Sequence, residues 1–132
     1  TTFNIDPLYE RSHSRDSGCE MIIGFPDEKG EVFCTHTPRK KDGTSYFERD
    51  DNCVLESIMK MEKTDYGRIV KVQIPWKEIC PKKVKAGDCM GITIGALNDE
   101  GNGLVDNMQW PWVVHPGGWL FPDDWGVMTL AE

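Results

Sequence analysis

Glycine and proline punctuate this chain from end to end, 13 and 8 residues among 132, and the segments between them are mostly too short for helices but suit strands. That spacing predicts an all-β domain. The clearest strand is Met90 to Ala96, where Met90, Ile92, Ile94 and Ala96 alternate with Gly and Thr and so line one face of a sheet. Val70, Val72 and Ile74 repeat the period until Pro75, which lacks the N–H a central strand must donate. Trp76 to Ile79 then reads as one helical turn. Further strands are expected at Cys19 to Phe25, Glu31 to Thr37, Thr44 to Arg49, Val54 to Met61, Asn107 to Trp112 and Gly126 to Ala131. Turns such as Asp27-Glu28-Lys29-Gly30 and Lys41-Asp42-Gly43 favour an antiparallel sandwich over a barrel. With no internal repeat, low-complexity tract or linker, residues 1–132 read as a single domain.

The charge balance restricts the partners. Twenty-two acidic against 15 basic side chains give a net charge of -7, which opposes a polyanion such as nucleic acid. The short runs Arg39-Lys40-Lys41 and Lys82-Lys83 read as solvated loops. No apolar run approaches the roughly 18 residues of a membrane-spanning helix. The chain opens Thr-Thr-Phe without an initiator Met or a signal peptide, so residue 1 reads as a processing or cleavage point. Cys19, Cys34, Cys53, Cys80 and Cys89 contain no C-x-x-C pair, which argues against a zinc or thioredoxin-like motif. Their odd number leaves at least one thiol unpaired within the chain. They read as small buried hydrophobes, with one disulfide among them left open.

Motifs for a nucleophile elbow, a phosphate-binding loop or a zinc protease are missing, and His13, His36 and His115 are widely spaced. The domain is therefore not expected to be an enzyme. Asn98-Asp99-Glu100-Gly101-Asn102-Gly103, followed by Asp106, offers hard oxygen ligands in one loop, chemistry suited to a structural calcium held by Asp99 and Asp106. The spacing is not that of an EF-hand, and polar turn residues explain the same segment.

The strongest signal is aromatic. Trp110, Trp112, Trp119 and Trp125 fall in one window rich in Gly and Pro, which favours surface loops with partly exposed rings. An exposed indole suits the C–H face of a sugar, with Asn98, Asp99, Asp106, Asn107 and Gln109 as polar partners. Trp125, ahead of the alternating Val127 and Thr129, and Trp76, after the proline, are expected in the core instead.

An ordered set of segments resembles carbohydrate-binding module family 9 and its family-9-like relatives. These segments are Val72-Gln73-Ile74-Pro75-Trp76-Lys77-Glu78-Ile79, Ala86-Gly87-Asp88, Ile92 to Asp99, Trp110, and Trp119-Leu120-Phe121-Pro122-Asp123-Asp124-Trp125-Gly126 through Leu130. The resemblance covers residues 68 to 132, whereas residues 1 to 67 share only a loose strand pattern. It implies a secreted, jelly-roll-like β-sandwich, attached to a polysaccharide hydrolase, that binds polysaccharide or oligosaccharide between aromatic side chains, often with structural calcium. By position, Trp110 or Trp112 and Trp119 would be the aromatic contacts, with Asn98, Asp99 and Gln109 as polar contacts. The family's early strands and opposing aromatic platform have no match at the front of this chain. That departure implies a fold truncated there, a missing upstream segment, or a one-sided site. Two alternatives stand beside this reading. Family-9-like sandwiches also resemble secreted cytochrome domains with Met and His axial ligands, so Met21, Met59, Met61, Met90, Met108 and the histidines permit haem binding and electron transfer. The abundant carboxylates permit a glycoside hydrolase or esterase fragment.

Overall fold

The computed structural model describes residues 2–11, 21–24, 30–49, 52–99, 105–111 and 122–132. The chain is all-β and antiparallel, as its Gly and Pro spacing predicts. Its strands are β1 (Thr2–Asp6), β2 (Met21–Gly24), β3 (Phe33–His36), β4 (Cys53–Val54), β5 (Ile58–Thr64), β6 (Gly67–Gln73), β7 (Cys89–Asp99), β8 (Val105–Trp110) and β9 (Gly126–Thr129). A single helical turn, α1 (Trp76–Ile79), follows β6, and a 3-10 turn at Pro122–Asp124 precedes β9. Among the described residues no helix is long and apolar enough to cross a membrane.

Seven strands form one sheet in the order β4-β3-β2-β1-β7-β8, with β9 also paired to β7, and β5 and β6 form a separate hairpin. Directly opposed residues in an antiparallel ladder share a face. The register sets Ile5 against Met21 and Ile92, Phe3 against Ile23 and Ile94, Ile23 against Cys34, and Met90 against Met128. This apolar face carries the core of Ile5, Met21, Ile23, Cys34 and Met90, closed by Val32, Leu55, Ile79 and Cys80. Met59 and Val72, opposed on the inner face of the β5–β6 hairpin, pack against it with Ile74 and Val84. A large sheet is thus faced by a hairpin, a helical turn and loops.

The other face of the sheet is buried at its centre but polar. Asn4, Asp6 and Thr93 are all buried there. The Asp6 carboxylate accepts the backbone N–H groups of Glu10 (3.1 Å) and Arg11 (2.8 Å), which satisfies a charge that burial alone would penalise. The Arg11 guanidinium donates onward to the Trp125 carbonyl (2.8 Å) and the Asp123 carbonyl. Asp6 and Arg11 together fasten the segment after β1 to the turn before β9.

The expected strand at Met90 to Ala96 is the middle of β7, and Pro75 does end the ladder before a helical turn at Trp76–Ile79. Two expectations are corrected. Thr44 to Arg49 is not a strand but part of a loop with one isolated bridge, Arg39 to Ser45. Within that loop the Asp42 carboxylate accepts the Thr44 hydroxyl and N–H, and these bonds hold its pKa below the usual value. Val54 to Met61 is not one strand: β4 ends at Val54, and β5 starts at Ile58 in a different sheet. An early strand that the sequence pattern did not reveal, β1, stands between β2 and β7.

Candidate functional site

The tryptophan-rich window leaves and re-enters the sheet at one break. One edge of β7 takes β9 along Cys89 to Ile92 and then β8 along Ile94 to Asp99. Trp110, the last residue of β8, stands opposite Ile94, and Gly126, the first of β9, stands opposite Ile92. Between the two positions lies Thr93, buried, whose hydroxyl donates to the Trp110 carbonyl (3.0 Å) and accepts the Gln109 side-chain N–H (3.0 Å). Pro111, joined to Trp110 by a cis peptide, cannot extend the ladder.

At this break the Trp110 ring lies across Gly126. A Cβ on Gly126 would approach its Cη2 to 3.1 Å and its Cζ3 to 3.2 Å, closer than ordinary contact. Trp110 is nevertheless 56% exposed as a residue. Met108, two residues earlier on the same face of β8, is 71% exposed. The end of β8 presents an apolar surface with a positioned indole.

The other expected site residues divide. Gln109 points to the opposite face from Trp110, because side chains alternate along a strand, and its amide nitrogen is committed to Thr93. That bond braces the backbone that carries the Trp110 ring. Asn98 stands opposite Asp106 in the β7–β8 ladder and Asp99 opposite Val105, while their side chains and residues 100–104 lie outside the described residues. Among the described residues no group of three or more His, Cys, Asp or Glu gathers as a metal site. Trp112 and Trp119 also lie outside the described residues. Trp125 is 2% exposed and packs toward Gly91, in agreement with its expected role in closing the interior.

Trp76 departs from expectation. It is 40% exposed because only Ile79 of the four-residue turn α1 points into the core. With Tyr46, Phe47, Cys80, Lys82 and Lys83 it lines a cleft of about 540 Å³, within the size range of small-ligand sites. Arg49 holds one wall in place: its guanidinium donates to the Glu78 carboxylate (2.9 Å) and to the Glu78 carbonyl, and lies 4.2 Å from the Phe47 ring centre. The Glu78 carboxylate also accepts the Glu56 N–H (3.1 Å). Lys77 hydrogen-bonds Glu56, which together with their charge attraction raises the lysine pKa above its usual value. Lys40 sits 5.6 Å from the Tyr46 ring centre. Nothing in the sequence pointed to this cleft, because the aromatic partners of Trp76 lie some thirty positions away and meet it only through the fold.

Comparison with protein-family models, curated proteins and solved structures returns no match to this chain.

Proposed function

We propose that this chain is a non-catalytic carbohydrate-binding domain of a secreted polysaccharide-degrading system, which holds an attached hydrolase near its glycan and so raises local concentration. The observation that carries the reading is Trp110, a residue more than half exposed whose indole is seated on Gly126 at a strand break. Burying an aromatic face is a large source of binding free energy, and the C–H face of a sugar is complementary to it. The Trp76 cleft adds a second aromatic surface, with Tyr46 and Phe47. A structural calcium at Asp99 and Asp106 belongs to the same proposal, as does participation of Trp112, Trp119, Gln109, Asn98 and Asp99 in sugar contact. Nothing favours the haem reading equally: Met21 and Met90 are fully buried in the packed core, where they serve as apolar filler.

Affinity electrophoresis and calorimetry against neutral and acidic soluble polysaccharides test the proposal. Trp110→Ala is expected to weaken binding about tenfold, which corresponds to about 1.4 kcal/mol, with Trp76→Ala having the smaller effect. The reverse order would move the site to the cleft. Binding by the wild type that neither substitution weakens would sink the aromatic-stacking account.

A further inference from the structure

We propose that the cleft at Trp76 is a subsite for an anionic sugar, a single uronate unit carried on an otherwise neutral glycan. The inference rests on the carbohydrate-binding reading and adds to it the charge of the sugar that is taken. The cleft, about 540 Å³, has aromatic walls from Tyr46, Phe47 and Trp76. Lys77, Lys82 and Lys83 also line it, and the described lining residues include no carboxylate. In a chain of net charge -7, that local excess of positive charge runs against the composition.

The lysines differ in what they can still bind. Lys77 is held by Glu56. The Glu78 carboxylate is committed to Arg49 (2.9 Å) and to the Glu56 N–H (3.1 Å), so neither acid is left to neutralise another cation. Lys82 and Lys83 follow Pro81 on an exposed stretch and make no ion pair among the described residues. A further cation stands near the aromatic wall, with Lys40 5.6 Å from the Tyr46 ring centre.

Aromatic side chains offer apolar faces to the C–H face of a pyranose ring, and a cleft lined by one sign of charge focuses its field on a ligand inside it. A uronate presents both complements at once, a ring for the aromatic wall and a C6 carboxylate for lysine. Lysine is a compact point charge on a flexible stem, so it follows the carboxylate of a sugar already seated on the rings. The rest of the chain sets the length of the charged part. A long polyanion would set most of its charges against a molecule of net charge -7, whereas one carboxylate among neutral sugars meets only the cleft.

The test titrates the nitrogen-15-labelled chain with methyl glucuronide and methyl galacturonide, each beside its neutral parent glycoside, and follows amide and indole N–H shifts. At least one uronide is expected to shift the Trp76 indole and the Lys82 and Lys83 amides, with an affinity about fivefold above its parent, the size expected of two exposed charge contacts. The double variant Lys82→Gln, Lys83→Gln should cut that advantage to under about twofold without changing the neutral affinity, and about 0.5 M sodium chloride should do the same to the wild type. The pair Lys60→Gln, Lys71→Gln removes equal charge from the β5–β6 hairpin, outside the cleft, and should keep the advantage. A uronide that shifts the cleft no more tightly than its parent would overturn the proposal, as would sodium acetate that reproduces the uronide shifts at the same affinity. Tighter binding of single-stranded oligothymidylate through the same lysines would make the cleft a nucleic-acid site instead. Shifts confined to the surroundings of Trp110, or no shift from any of the four glycosides, would also remove the subsite. Binding of a neutral polysaccharide that depends on Trp110 would in either case leave the carbohydrate-binding reading standing.

Discussion

Gly126 has no side chain at the one place where β9 begins beneath the Trp110 ring, and a methyl group there would also meet the Ile92 carbonyl oxygen at 3.4 Å. Gly126→Ala must therefore displace the ring, the strand end, or both. We expect a stability loss of about 1–2 kcal/mol by urea denaturation, in the range for overpacked sites, and, on the proposed carbohydrate-binding reading, a several-fold loss of glycan affinity. An unchanged affinity alongside lowered stability would separate the ring's seat from its function. At this scale the sequence was partly legible. Trp125 reads as interior because an alternating strand follows it, and it is. Trp76 reads the same way after Pro75, yet the direction of a side chain on a one-turn helix depends on which neighbour covers it, and Ile79 takes the core position. The bond from Gln109 to Thr93 was not legible, because Thr93 lies on the neighbouring strand.

The β5–β6 hairpin packs by its base and projects by its tip, where Tyr66 is 99% exposed. Its register opposes Lys60 to Lys71 and Lys63 to Arg68, two like-charged cross-strand pairs that work against the ladder. Lys60→Glu would replace the first repulsion with an attraction on an exposed face. The expected gain is roughly 0.2–1 kcal/mol in unfolding free energy at low salt, read by denaturant titration, shrinking in 1 M salt as screening removes both terms. A gain that survives high salt would point to packing instead of charge. Elements with strict alternation, such as β6 and β7, were legible because periodicity alone defines their faces. The break between β4 and β5 was not. Buried Leu55 keeps the apolar run going through the position where the chain leaves one sheet for another. Likewise, the Thr44 to Arg49 segment is strand-like in composition but is held as a loop by Arg49 and Glu78, a contact across 29 positions.

For the whole molecule, the decisive placement is that of β1. The five residues Thr2 to Asp6 stand inside the large sheet, paired to β2 on one side and to β7 on the other, so residues near position 5 meet residues near position 92. The strand supplies Ile5 to the apolar core and Asn4 and Asp6 to the buried polar face, and through Asp6 and Arg11 it secures the turn that leads into β9. In the sequence the segment alternates polar Thr2, Asn4 and Asp6 with Phe3 and Ile5, but it is only five residues long before Pro7 and is not among the expected strands. The burial of Asn4 and Asp6 becomes intelligible only once the covering segment and its hydrogen bonds exist, which is information spread over more than a hundred positions. Removing residues 1–11 would leave β2 and β7 without their shared neighbour and the Trp125 and Asp123 carbonyls without the Arg11 donor. Neither edge can rejoin without crossing the gap of two inter-strand spacings, about 10 Å. The shortened chain is therefore expected to lose its cooperative thermal transition and its near-ultraviolet dichroism. A cooperative transition within a few degrees of the intact chain would mean that β1 is an accessory strand and that the core closes between β2 and β7 without it.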